Sequence, residues 1–419
     1  MTNPADREVL IDRFRYVRAQ TERLAAPLTP EDQVLQSMPN CSPTKWHRAH
    51  TTWFFETFVL QPRGYPPVND RYGFLFNSYY NAVGPRHARP KRGMISRPVA
   101  SEVADYRRIV DERVVEVLSR TSDDELAALA DLVHLGLAHE EQHQELLLTD
   151  IQHAFAENPL QPAYCGRAAA ARTAPAPPLR FIEQAGGLRE VGYEGMGFAF
   201  DNERPRHKVW LEPYALANRL VTVGEMKAFI TDRGYETPSL WLSEGLDWVR
   251  LNGISAPLYA SVDDGVYRVF GLRGPRVPGD AEPVAHLSFY EADAVARYLD
   301  ARLPTEAEWE CAALGLPEDE GNLLESGVLH PVPAAAGEGL QHFYGDVWEW
   351  TRSAYEPYPG YTAGPGALGE YNGKFMANQY VLRGGSCFTP RGHVRASYRN
   401  FWHPDTRFQV TGVRLARSR

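Results

Sequence analysis

Residues 137–150 read LAHEEQHQELLLTD, and within them His139-Glu140-Glu141-Gln142-His143 spells H-E-x-x-H. That string is the zinc signature of metalloproteases, where two histidines on one helix bind the metal and the glutamate is the base. Two positions four apart on an α-helix differ by about 40° around the axis and lie ~6 Å apart along it. His139 and His143 therefore share a face and can chelate one ion. Leu132, Leu135, Gln142 and Leu146 extend that face, which predicts that it turns into a helical bundle. The plain alternative is a pair of satisfied histidines on a buried helix; the surrounding EEQ and QE favour metal binding. A protease needs a third ligand. The H-x-x-G-x-x-H extension fails, because Leu146 stands where Gly is required and Thr149 where His is required. A zinc hydrolase is thus the remote reading, and an all-helical first half the expected one.

Working outward, residues 5–27 look helical, with Val9, Leu10, Phe14, Val17 and Leu24 at near-helical spacing. SPTKWHRAHTTWFFETFVL (42–60) predicts a second helix, with Ser42 as N-cap and Pro43 in its first turn. A Gly/Pro/Asn-rich excursion follows at 61–98, too long for a plain connection. Helices over 101–120 and 122–157 complete a bundle. The Ala/Pro-rich stretch at 158–180 reads as a linker. From 181 to 419, short β-type runs such as HKVWLEPYAL and QYVLRGGSCF alternate with turn residues, and SFYEADAVARYLDA (288–301) predicts a helix. The fold class expected is multidomain, an α domain over 1–157 followed by an α+β domain.

The chain has 419 residues, a net charge of −9 and 43% hydrophobic residues. An acidic globular chain of this kind is not expected to bind nucleic acid or an anionic membrane through bulk charge. No run of ~18 apolar residues is present, and residues 1–20 do not resemble a signal peptide. Cys41, Cys165, Cys311 and Cys387 form no paired framework, which favours a reducing, cytoplasmic setting.

A third metal ligand is needed. Glu140, Glu141 and Glu145 project ~100°, ~200° and ~240° around the helix from His139, so none joins the two histidines. WHRAH offers His47 and His50 from the second helix. That helix is apolar nearly all round, so periodicity leaves both open: Trp46, His50 and Trp53 lie on one stripe, His47, Phe54 and Phe58 on another. Three neutral imidazoles suit Fe(II), Zn or Cu.

KWHRAHTTWFFETFVL (45–60) with HEEQHQELLLTDIQH (139–153) resembles the DinB-like four-helix bundle of the ergothioneine-biosynthesis sulfoxide synthases, the hercynine oxygenases. FDNERPRHKVWL (200–211), the 283–313 stretch with RLPTEAEWE, GDVWEW (345–350), VLRGGSCF (381–388) and RASYRNFW (395–402) resemble a formylglycine-generating-enzyme-like domain, a C-type-lectin variant. The pairing of both in one chain makes the functional implication specific. The resemblance implies Fe(II) held by His50, His139 and His143, with O2 as co-substrate, joining a thiol to the imidazole C2 of hercynine as a sulfoxide. It implies a tyrosine proton donor that steers the outcome from sulfur dioxygenation toward C–S coupling. In one branch of the family this is a Tyr-Tyr pair in the first domain, here Tyr79 and Tyr80; Tyr380 is the runner-up. Arg86 and Arg89 match carboxylate binders, with Arg92 beside them, and fork geometry suits that task. Gln142 matches a contact to the hercynine imidazole. Asn400 and Phe401 match residues near its carboxylate and trimethylammonium, the latter a natural partner for an aromatic face.

Members using γ-glutamylcysteine have Asn-Trp-Asp where this chain has Asn400-Phe401-Trp402, so free L-cysteine is the expected thiol. The alternatives are γ-glutamylcysteine, or histidine in place of hercynine as in 5-histidylcysteine sulfoxide synthases. A formylglycine-generating activity lacks its two cysteines, since only Cys387 follows RGGS. A lectin-like binding module is the non-enzymatic alternative.

Overall fold

Asp6 accepts a hydrogen bond from the Glu8 backbone and so caps the first helix, α1 (Arg7–Ala25). Its buried face carries Leu10, Ile11, Phe14, Val17 and Leu24, whereas Val9, expected on that face, is exposed. The computed structural model of the chain describes residues 6–166, 175–335, 337, 339–364 and 366–419.

Helix α2 (Thr44–Phe55) is buried along its whole length and continues as a π-helical turn over Glu56–Leu60. Its N-cap is Pro43 rather than Ser42, because Ser42 is spoken for elsewhere: its N–H donates to Asp150 and its hydroxyl accepts from Arg92. The excursion that follows contains a short helix, α3 (Tyr72–Phe76). Helices α4 (Ala100–Arg120) and α5 (Asp123–Glu157) complete the bundle.

The face of α5 that turns into the bundle is not the one expected. Leu132, Leu135, Gln142, His143 and Leu146 are half-buried, while Val133, Leu137, Glu140, Gln144 and Leu147 fill the interior. Polar groups from all four long helices meet there. The fully buried Glu140 carboxylate accepts from Arg18 of α1 at 2.6 Å, from Arg107 of α4 at 2.8 Å and from Thr21 at 2.6 Å, and Arg18 also donates to Thr52 of α2 at 2.8 Å. Burial alone would raise the Glu140 pKa, but the two guanidiniums outweigh it and hold it at about 2. Close approach of α5 to α2 requires Gly136: a Cβ there would lie 2.7 Å from the Phe55 ring and 2.8 Å from that of Phe54.

The chain divides into two units, and the helical one also takes in Gly195–Phe200 and Ala363–Tyr371 from far along the sequence. The second unit holds the strands. Residues 159–166 and 175–180 belong to it, with Pro177 O accepting from Arg219; residues 167–174 of the expected linker lie outside the described residues.

The strands are β1 (Phe181–Gln184), β2 (Gly187–Val191), β3 (His207–Leu211), β4 (Tyr214–Leu220), β5 (Ala260–Asp263), β6 (Val266–Gly271), β7 (Gly274–Arg276), β8 (Trp348–Ala354), β9 (Tyr380–Arg383), β10 (Asn400–Trp402), β11 (Thr411–Gly412) and β12 (Arg414–Ser418). They form sheets ordered β1-β4-β12, β10-β9-β8-β11, β2-β3 and β5-β6-β7. Helices α6 (Val223–Thr231), α7 (Ser243–Leu251), α8 (Phe289–Tyr298) and α9 (Glu306–Ala313) intervene. Three of them start with capping boxes that the sequence spells out, Thr222/Glu225, Ser288/Glu291 and Thr305/Glu308.

The motifs of this half converge in a buried knot. Arg414 Nε donates to Glu349 at 2.8 Å and Trp309 Nε1 to the same carboxylate at 2.7 Å. Arg383 of VLRGGS reaches Glu306 at 2.8 Å and Glu310 at 3.0 Å, both in TEAEWE. The fold is thus an N-terminal helical bundle followed by a sheet-rich α+β unit. Among the described residues no helix is long and apolar enough to cross a membrane.

Candidate metal centre

Helix α2 supplies His50 and α5 supplies His139 and His143, and one nitrogen from each lies within 4.8 Å of the others. His50 and His139 are fully buried and His143 half-buried. Burial depresses all three pKa values, His139 to about 3, and the neighbouring imidazoles push His50 and His143 further down. Neutral imidazoles, which are ligands, are therefore favoured over imidazolium.

A hydrogen bond fixes which nitrogen His50 offers. His50 Nδ1 lies 2.6 Å from the Phe76 carbonyl, an acceptor only, so Nδ1 carries the proton and Nε2 is bare. That Nε2 is 3.1 Å from His139 Nε2. Two nitrogens each about 2.1 Å from one ion at near-right angles would be ~3.0–3.2 Å apart, so the spacing fits a shared metal. His139 Nδ1 is buried with no hydrogen-bond partner. His143 Nδ1 is 2.8 Å from His47 Nδ1.

Of the two histidines of WHRAH, the geometry brings His50 into the group, while His47 stands behind His143 and bonds Asp150 at 2.9 Å. Trp46 stacks on one side of His50 at 4.5 Å and Trp53 on the other at 5.6 Å, gripping the ring. The glutamate of H-E-x-x-H is committed to Arg18, Arg107 and Thr21 in the bundle interior, and so is no candidate for a hydrolytic base.

Tyr79 and Tyr80 stack on each other at 4.9 Å, with Tyr80 also against Trp53 at 5.7 Å. Burial pushes both phenols well above their usual pKa, and Tyr79 raises that of Tyr80 further. Arg86 is exposed and donates to Asn81 at 2.7 Å; Arg89 is exposed and donates to the Asn40 carbonyl. Arg92 is the buried one of the three. It lies 3.4 Å over Trp46 and donates to Ser42 and Ser78.

Sequence reasoning missed Tyr371. Its ring is edge-on to His139 at 5.6 Å and to Tyr79 at 6.0 Å, and lies flat on Phe200 at 5.5 Å; its hydroxyl donates to Gln142 Oε1. The adjacent Glu370 holds the Tyr79-Tyr80 loop by accepting from the Asn81 and Ala82 backbones at 3.0 and 2.9 Å. No pattern in ALGEYNGKF marks these two residues; only folding brings them to the histidines.

Asn400 and Phe401 belong to the second unit, on β10, where Phe401 stacks on Tyr355 at 4.0 Å and its N–H donates to Asn400 Oδ1. Tyr380 lies on β9 of the same unit, stacked on Phe289 at 3.8 Å.

Residues 13–147 match the DinB superfamily, and 168–330 with 326–419 match the sulfatase-modifying factor enzyme 1-like domain. The hercynine oxygenase of Mycolicibacterium smegmatis is 31% identical over 444 residues, covering 98% of this chain and 99% of the relative. The chain belongs to the hercynine oxygenase family. The hercynine oxygenase of Mycobacterium tuberculosis is 30% identical, covering 99% of both chains. The formylglycine-generating enzyme of Streptomyces coelicolor is 28% identical and covers 59% of this chain and 94% of the relative. The family's oxygenase character agrees with a group of three histidines able to hold a metal.

Proposed function

We propose that the chain is a non-haem Fe(II), O2-dependent sulfoxide synthase that joins L-cysteine to C2 of hercynine in ergothioneine biosynthesis, with His50, His139 and His143 as its iron ligands. The observation that carries this reading is the neutral three-histidine group in a chain whose near-full-length relatives are hercynine oxygenases. Bound there, iron would supply the redox chemistry and the binding of O2.

The chain's own residues do the rest. The Tyr371 hydroxyl donates to Gln142 Oε1 and so orients the amide that is assigned to the substrate imidazole. Tyr79 and Tyr80, kept as phenols by burial, hold a proton at Oη, as a donor steering product choice must, and the Tyr371 ring, which meets both Tyr79 and His139, links the pair to the histidines. Arg86 and Arg89 supply forked donors for the carboxylate of cysteine, with Arg92 behind them. Asn400 and Phe401 are assigned to the hercynine carboxylate and trimethylammonium. Trp402 stands where an acid would meet the ammonium of a dipeptide, which favours L-cysteine over γ-glutamylcysteine. The domains are assigned as 1–157, the linker 158–180 and 181–419, and the acidic, cysteine-poor chain as cytoplasmic.

The test is direct. Fe(II)-loaded protein, hercynine, cysteine and O2 should give a hercynyl-cysteine sulfoxide, identified by mass and NMR. Absence of that product refutes the reading, and a higher kcat/KM with γ-glutamylcysteine refutes the thiol assignment.

A further inference from the structure

His143 differs from the other two histidines in what stands behind it. His50 leans on a neutral carbonyl, and His139 Nδ1 has no partner. Behind His143 comes a second imidazole and then a carboxylate: His143 Nδ1 to His47 Nδ1 at 2.8 Å, and His47 Nε2 to Asp150 Oδ2 at 2.9 Å. The same Asp150 oxygen accepts the Ser42 N–H at 2.7 Å. His47 and Asp150 are buried, and Ser42 is tied in turn to Arg92 at 2.9 Å.

Read as two neutral imidazoles facing a carboxylate, this chain of bonds has one tautomer pattern. An ionised carboxylate only accepts, so the Ser42 N–H and the His47 Nε2–H both point at Asp150. A neutral His47 protonated at Nε2 has a bare Nδ1, which can only accept from His143. His143 must then carry its proton on Nδ1, leaving Nε2 bare. The carboxylate two groups away thus sets, through His47, which His143 nitrogen is available. It also draws positive charge toward His47 and so makes the His143 ring a stronger electron donor.

We propose that Asp150 and His47 are positioning residues that lock His143 as its Nδ1–H tautomer and strengthen it as a metal ligand. The histidine of WHRAH that does not join the triad thereby still acts on it. This rests on the three-histidine metal reading above, and its test is arranged to separate the two.

In the full-length apoprotein labelled with 15N-histidine, the His143 ring nitrogens, identified by their loss in His143→Ala, should report an Nδ1–H tautomer. His47→Leu should convert this to a mixture. In Co(II) competition against a chromophoric chelator, wild type should bind one ion. His47→Leu should lose roughly 10- to 100-fold in affinity, the range for outer-shell partners. His47→Asn, whose side-chain oxygen can take the place of Nδ1 as acceptor, should recover part of that loss, which a merely structural role would not predict. Asp150→Asn, which keeps an acceptor for both donors but removes the charge, should retain the tautomer and bind Co(II) more weakly than wild type.

Unchanged tautomer and affinity in His47→Leu would overturn the relay. Failure of wild type to bind Co(II) would instead remove the metal reading, while the tautomer measurement in the apoprotein would still decide the relay. Should His47→Leu fail to fold, the Asp150→Asn affinity and the wild-type tautomer decide it.

Discussion

Replacing Glu140 by Leu should destabilise the helical unit by about 3 kcal/mol and leave the metal site able to load. The structure sets the magnitude. Removing one partner of a buried ion pair typically costs about 3–5 kcal/mol. Arg18 and Arg107 both lose Glu140, but Arg18 keeps Asp111 at 2.7 Å and Arg107 keeps Glu22 at 2.6 Å, which places the loss at the low end. A second route agrees: the Glu140 carboxyl falls from 4.5 to about 2 on folding, and at roughly 1.4 kcal/mol per pH unit that is about 3 kcal/mol. Urea unfolding followed by circular dichroism should show the helical transition shifted down by roughly 1–3 M, given slopes of about 1–3 kcal/mol/M.

The pH dependence has a definite sign. A carboxyl with a lowered folded pKa stabilises above its unfolded pKa, and that contribution fades as pH falls from 4.5 toward about 2. The gap between wild type and Glu140→Leu should therefore close on acidification through that window. A variant that unfolds with wild type at neutral pH would refute the structural role of Glu140. One that keeps its stability but loses hydrolysis of a peptide substrate would restore the protease reading.

Ala at any of His50, His139 or His143 should abolish iron binding and activity, read by metal analysis, with the bundle still helical. Tyr79→Phe or Tyr80→Phe should retain iron and shift product from sulfoxide toward cysteine sulfinate; unchanged product ratios in both would remove them from the mechanism. Tyr371→Phe removes the hydroxyl donor to Gln142 Oε1 and should raise KM for hercynine about threefold to tenfold, the worth of one hydrogen bond, with a smaller effect on kcat. Gly136→Ala forces a Cβ onto the Phe54 and Phe55 rings and should cost about 1–3 kcal/mol in thermal unfolding.

The helices of the bundle were legible because each long segment carries periodic apolar residues and recognisable ends. The pair His139/His143 was legible for the same reason: four residues is nearly one turn. What failed was orientation. A helix as rich in apolar and polar residues as α5 offers several faces, and the interior took the one bearing Glu140, whose arginines lie on α1 and α4. The choice between His47 and His50 was illegible because α2 is buried on every side. Arg92 reads like Arg86 and Arg89 in sequence; only burial against Trp46 sets it apart. Tyr371 and Glu370 lie more than two hundred residues from α5, and no local pattern carries information over that distance.

That distance has a consequence in time. A ribosome adds about 5–20 residues per second, so roughly 10–40 s separate the completion of α5 from the arrival of Tyr371. Through that interval the nascent bundle can present its histidines without the ring that comes to lie beside His139. Zinc and copper outrank iron at nitrogen sites on affinity alone, so the proposed centre, were it to load during those seconds, would take its ion from whatever the newborn chain meets rather than by the finished geometry.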